Sequence, residues 1–220
     1  MMPCVAIHSY KGGTGKTVIT ANLAYVLASG GRKVCVIDCD FRAPSLGKLF
    51  GTEEGPFIND LLSGEKTVTD VIRDVSEEFG VKEGRLCIVP ANPSGSAINE
   101  MLEVEMDKEW QGRALRTLLF SKEQLEAEFD HILFDTSPGF SMASINAVAV
   151  SDHVLLVTRF DDLDISGTRE LLSNVYALLE KELSVIVNKI PPNVSKEEVS
   201  EKVSKALNLR VVGAIPCFCD

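Results

Sequence analysis

The chain reads as an α/β protein: a mostly parallel, twisted sheet of about seven strands flanked by helices. Three observations predict this. Short, nearly unbroken aliphatic or β-branched runs recur along the 220 residues, as in strands buried on both faces. Amphipathic stretches at helical spacing separate them. The two kinds of segment alternate, and strand–helix alternation builds parallel sheets covered on both sides.

In order, the strand candidates are Val5–Ser9, Val34–Asp38, Leu86–Val89, Ile132–Asp135, Val154–Thr158, Val185–Asn188 and Val211–Ile215. A first helix is expected over Val18–Ala28. Farther on, Leu171, Leu172, Val175, Leu178 and Leu179 follow one helix face. Ser195 and Glu198 have the spacing of a capping box, with Val199, Val203 and Leu207 as the apolar stripe behind it. Trp110 falls in an expected helix near Leu115, Leu118 and Phe120, where packing explains it. Gly51–Pro56 and Ala91–Ser96, rich in Gly, Pro and Ser, read as loops. The pattern is weakest over Ala91–Lys108. Without a repeat or a linker, one domain over residues 1–220 is expected.

Apolar residues make up 45% of the chain and charged residues 25%, a globular balance that excludes a disordered chain. The formal charge of −10 disfavours non-specific contact with nucleic acid. No apolar run reaches the roughly 18–20 residues of a spanning helix. Met1–Tyr10 lacks the charged region and cleavage site of a secretory signal. No basic amphipathic segment near either end suits a membrane surface. A cytoplasmic protein is therefore expected, with no strong case for a nucleic-acid or membrane partner. Cys4, Cys35, Cys39 and Cys87, in or beside strand candidates, read as reduced, buried thiols. His8, His131 and His153 share no ligand spacing and read as structural.

The chemistry concentrates after the first strand. Ser9-Tyr10-Lys11-Gly12-Gly13-Thr14-Gly15-Lys16-Thr17 joins that strand to the first helix. A strand–loop–helix turn aims backbone N–H groups and the positive helix end at one point. Glycines let the backbone approach phosphate oxygens. Lys16 then meets the β- and γ-phosphates, and the Thr17 hydroxyl meets Mg²⁺. The usual phosphate-loop pattern has a glycine where this chain has Tyr10. What is matched is KGGxGKT, with an additional lysine, Lys11.

This segment resembles the deviant Walker A motif of the MinD/ParA family of P-loop ATPases, and the resemblance extends over essentially the whole chain. It implies the P-loop NTPase fold, ATP and Mg²⁺ as ligands, and Gly12, Gly13, Thr14, Gly15, Lys16, Thr17 and Val18 as nucleotide-binding residues. Asp38-Cys39-Asp40, at a strand end, resembles switch I. Asp40 would there orient or polarise the attacking water and Asp38 would support the Mg²⁺ shell, although strand-end aspartates also cap turns. Ile132-Leu133-Phe134-Asp135 resembles a Walker B strand whose Asp135 holds Mg²⁺ through water. Pro138-Gly139 resembles switch II, with Gly139 on the γ-phosphate. Asn188 would meet the adenine edge, unless it only forms the turn before Pro191-Pro192. Backbone near Pro216 would meet the base. By the resemblance, Lys11 reaches the partner's nucleotide in an ATP-dependent homodimer.

The activity so implied is slow, partner-stimulated ATP hydrolysis, with Lys11, Lys16 and Asp40 as catalytic residues and an unidentified activator or cargo. Members of the family usually carry helices after the last strand, whereas this sequence stops at Asp220, which points to C-terminal truncation. Asp40-Phe41-Arg42-Ala43-Pro44-Ser45 also resembles bacterial tyrosine kinases and Mrp-type carriers. Only three tyrosines are present, with no C-terminal cluster, so autophosphorylation is not expected. The alternative from another class is a metal or iron–sulfur carrier using Cys217 and Cys219. A third reading is a nucleotide-binding adaptor that does not hydrolyse.

Overall fold

A computed structural model describes residues 4–218. The elements run β1 (Cys4–His8), α1 (Lys16–Ser29), β2 (Lys33–Cys39), α2 (Leu46–Leu49), α3 (Ile58–Ser63), α4 (Val68–Val71), β3 (Arg73–Asp74), β4 (Arg85–Val89), α5 (Gly95–Val104), α6 (Lys108–Glu126), β5 (His131–Thr136), α7 (Met142–Val150), β6 (His153–Arg159), α8 (Asp162–Asn174), β7 (Glu182–Ile190), α9 (Lys196–Leu207) and β8 (Arg210–Pro216). The strands form one sheet in the order β3-β4-β2-β5-β1-β6-β7-β8. Every neighbour pair is parallel except β3–β4.

Period-two alternation splits the strand residues between two cores. Val34 and Val36 of β2, Leu133 of β5 and Ile7 of β1 pack with Ala24 and Ala28 of α1 and Leu46 of α2. Cys35, Ile37 and Cys39 point the other way, where α3, α6, α7, α8 and α9 cover the sheet with Ile58, Leu118, Ala147, Leu171 and Val203. The same alternation puts Asp38 and Asp135 on the α1 side, and the two are register partners across β2 and β5.

All seven expected strands are present. The eighth, β3, is two residues paired antiparallel to β4, too short to leave a periodic signal. Gly51–Pro56 is a loop as read. Ala91–Ser96 is a loop only to Pro93: Ser94 accepts from the Ala97 N–H and starts α5, so the weak stretch is helical over Gly95–Val104. The helix read to Leu179 ends at Asn174 instead. Tyr176–Leu178 follow as a 3₁₀ turn that buries Tyr176 and leaves Leu178 exposed. Ser195 caps α9, but the capping box is half made. Its hydroxyl oxygen accepts from the Glu198 N–H (3.3 Å), while the Glu198 carboxylate turns to Lys202 at 2.6 Å. Trp110 packs against the core from α6, whereas its expected neighbour Phe120 is exposed. Among the described residues no helix is long and apolar enough to cross a membrane.

Candidate functional site

The segment between β1 and α1 is held in an unusual way at its helix end. Helices α5, α6, α7, α8 and α9 each have a first-turn N–H capped by a side chain, from Ser94, Asp107, Ser141, Asp161 and Ser195. Helix α1 has no side-chain cap and no acidic residue in its first turn. Its cap is Gly15, at φ 96°, a conformation that favours glycine. The orphan N–H groups and positive helix end thus face the loop Ser9–Gly15, ready for an anion. A Cβ at Gly15 would also collide with the Asn188 amide.

That amide belongs to a brace. Asn188 Nδ2 donates to the Thr14 carbonyl at 2.7 Å, and Lys189 Nζ donates to the Gly13 carbonyl at 2.8 Å. The end of β7 therefore steadies the loop from outside. Pro216 is aligned with Ile190 at the same end of the sheet. Tyr10 fits because α8 has a glycine beneath it: a Cβ at Gly167 would enter the Tyr10 ring. The ring also packs edge-on against Phe140.

Lys16 is buried, and its ammonium donates to Ser9 Oγ at 3.0 Å. Burial lowers its pKa, opposed by the Asp135 and Asp40 carboxylates. Thr17 Oγ1 lies 3.5 Å from Ser45 Oγ. The Thr17 hydroxyl is also close enough to Asp135 to favour its ionised form. Val18 turns its side chain outward, 58% exposed, so only its backbone can serve the loop. Buried Thr14 Oγ1 has no hydrogen-bond partner.

Asp38 is fully buried, and both its oxygens hold backbone: Oδ1 accepts from Asp40 N (3.0 Å) and Oδ2 from Leu46 N (3.2 Å). Asp40, partly exposed, accepts from Ala43 N at 3.2 Å. Both aspartates thus also act as turn acceptors. Asp135 differs. Its Oδ1 lies 3.2 Å from the Thr20 hydroxyl, but its Oδ2 is buried without a partner. Burial raises its pKa to about 6, against the lowering pull of the Thr17 hydroxyl and Lys16. Burial and the facing Asp135 push Asp38 well above the ordinary carboxylate range. Two buried carboxylates side by side, one with an orphan oxygen, beside a threonine hydroxyl, form a hard-oxygen donor set that suits Mg²⁺. Among the described residues no three His, Cys, Asp or Glu side chains gather as a self-sufficient metal cage. Mg²⁺ needs no such cage, because it keeps waters and takes phosphate oxygens.

Gly139 (φ 76°) donates its N–H to the Ser9 carbonyl at 2.8 Å, joining the loop after β5 to the loop after β1. Gly12 lies beside Pro138 of the same segment. Lys11 Nζ sits 3.4 Å from Asp164 Oδ1 of its own chain, and Arg159 Nε donates to the other Asp164 oxygen at 2.7 Å.

Sequence reasoning missed Ser9, Thr20, Lys189 and Asp164. Thr20 alone left a signal: four residues after Lys16, it lies on the same helix face. Of the structural histidines, His8 is buried against the Tyr176 hydroxyl and pushed down to about 3 by burial and Lys16. His153 bonds Ser184 at 2.7 Å. Cys4, Cys35, Cys39 and Cys87 are buried free thiols. Cys219 lies outside the described residues, so the Cys217/Cys219 pair is not placed.

A family model described as an AAA domain matches residues 2–188. The septum site-determining protein MinD of Synechocystis sp. is 32% identical over 227 residues, covering 98% of this chain and 75% of that protein. The proposed tyrosine-protein kinase EpsB of Ralstonia nicotianae is 29% identical over 183 residues, 82% of this chain but 22% of that protein. The chain thus spans about a fifth of one relative and three quarters of the other. Among solved structures, MinD of Pyrococcus horikoshii complexed with Mg-ADP superposes with a TM-score of 0.78, at 23% identity, over 98% of this chain and 82% of that one. That likeness establishes the fold. Nothing in these similarities favours a metal carrier.

Proposed function

The chain belongs to the MinD/ParA-type family of P-loop ATPases, and from that premise we propose that it is a Mg²⁺-dependent ATP switch. Its ATP-bound form pairs with a second copy and so controls a protein activator or cargo. One observation carries the reading: the uncapped start of α1, the buried Lys16 ammonium and the orphan Asp135 Oδ2 lie together around one loop.

In this reading the N–H groups of Gly12–Val18 cradle the phosphates, and Lys16 leaves Ser9 to meet the β- and γ-oxygens. Thr17 and Asp135 hold the metal, with Asp38 supporting from behind through the loop it fixes. Mg²⁺, when bound, neutralises charge on the phosphates and offsets the repulsion between the two carboxylates. Asp40 orients the attacking water, and Gly139 donates to the γ-phosphate. Asn188 and the backbone near Pro216 border the base. Lys11 adds positive charge to the partner's nucleotide. The work is positioning and charge neutralisation, as phosphoryl transfer requires.

Calorimetric titration with ATP, with and without Mg²⁺, tests the reading. Wild type should bind in a Mg²⁺-dependent manner. Lys16→Ala should bind about 10- to 100-fold more weakly, the size of a charge-assisted phosphate contact. Asp40→Ala should bind as wild type and release phosphate at least about tenfold more slowly. A chain with no Mg²⁺-dependent affinity for any purine triphosphate would overturn the reading.

A further inference from the structure

Two loops shape the phosphate site besides the one after β1: the loop that carries Asp40 and the loop Ser137–Ser141 before α7. One carboxylate outside both touches each. Glu105, at the end of α5, accepts from Arg42 Nη2 through Oε2 (2.7 Å) and from Met142 N through Oε1 (3.1 Å). Arg42 is two residues past Asp40, and Met142 is the first residue of α7, three past Gly139. We propose that Glu105 is a positioning residue that ties the two loops into one unit, so that both answer to nucleotide together. The inference rests on the ATPase reading above and adds to it the device that couples the switches.

The geometry favours coupling over bulk stability. Arg42 is 55% exposed in its side chain, and an ion pair so wet adds little to folding. Glu105 is only 15% exposed and is fixed at its own backbone. Its N–H donates to the Met101 carbonyl at 3.0 Å, and its carbonyl accepts from the Gln111 side chain. Its carboxylate satisfies an orphan N–H at the positive end of α7, a contact stronger than the Arg42 pair alone. The contacts then continue on both sides. Gly139 bonds the Ser9 carbonyl beside the phosphate loop, and the Asp40 N–H bonds Asp38 on β2. Phe41, Met101, Trp110 and Ala143 close around Glu105 over a cavity of about 10 Å³. That is room for one water at most, so the cluster is a packed joint and not a ligand pocket.

Trp110, the only tryptophan of the chain, lines this joint and reports on it. The test measures Trp110 emission with Mg-ATP, steady-state phosphate release, and calorimetric binding. It uses wild type, Glu105→Gln, Arg42→Gln and the double variant. Glu105→Gln keeps an oxygen for Met142 N and removes the charge that holds Arg42. Arg42→Gln alters only a half-exposed side chain, so it keeps the test valid if the first variant folds poorly. Each single variant should lose at least half of the wild-type emission change and about 3- to 10-fold in kcat, with KM within twofold. The double variant should be no slower than the slower single one, because both changes cut one link. Unchanged emission response and kcat in both single variants would overturn the coupling, as would multiplicative losses in the double variant. So would wild type that binds Mg-ATP with no change in Trp110 emission. If wild type binds no Mg-ATP at all, the ATPase reading falls and takes this inference with it.

Discussion

Asp38 and Asp135 face each other across β2 and β5; Asp135 makes Asp38 harder to ionise, and burial does the same to Asp135. The consequence for stability has a definite sign. In the unfolded chain an aspartate ionises near 3.8, whereas Asp135 in the fold does so at about 6. Below the lower value both states are protonated and nothing is lost. Between the two values the unfolded state releases its proton first, so this group subtracts stability as pH rises, and above 6 the loss is complete. Asp135→Asn should therefore melt higher than wild type at pH 7 without nucleotide. The gain is of the order of 1–3 kcal/mol, or about 2–12 °C for a chain of this length. At pH 4 the gain should nearly vanish. Paired thermal melts at the two pH values check this, and a variant that melts lower at pH 7 would contradict it. Mg-ATP should raise the melting temperature of wild type further, and the same variant should lose that rise.

At the scale of elements, the helix starts divide by task. Five long helices are closed by a serine or aspartate, and α1 is left open by Gly15. Helix α9 shows what closure contributes. Ser195 satisfies an orphan N–H, so Ser195→Ala should lower the unfolding free energy by about 1 kcal/mol. Glu198 makes only an exposed pair with Lys202, worth roughly 0.3–0.5 kcal/mol. Urea unfolding should rank Ser195→Ala as clearly the more destabilising change. Equal losses would mean that the full reciprocal cap forms in solution. The helix beyond Leu171 makes a related point. Its apolar spacing runs on to Leu179, yet Tyr176 is drawn under the sheet toward His8, and the regular turn breaks there.

Lys11 belongs to the scale of the whole molecule. Each copy carries a formal charge of −10, so two copies repel at long range. Salt screens that repulsion within about 8–10 Å, which leaves close contacts to decide pairing. Within one chain Lys11 rests on Asp164, and it must leave that partner before it can reach another copy's phosphates. Light scattering should show wild type doubling its mass with ATP and Mg²⁺, while Lys11→Ala binds ATP and keeps a single-copy mass. A variant that still doubles would remove the trans role.

The sequence by itself determined the α/β class, the seven longer strands, the glycine-rich loop between β1 and α1 and the strand-end aspartates. All of these are local: an unbroken apolar run, a glycine pattern, or an acid at the end of a strand needs no distant partner to be read. It did not determine β3, the start of α5 or the end of α8, because there packing overrules spacing. Nor could it show which carboxylate oxygen is left without a partner, that Asn188 and Lys189 brace the loop before α1, or that Glu105 lies between two loops. Those facts depend on residues distant in sequence that only a closed sheet brings within hydrogen-bonding reach.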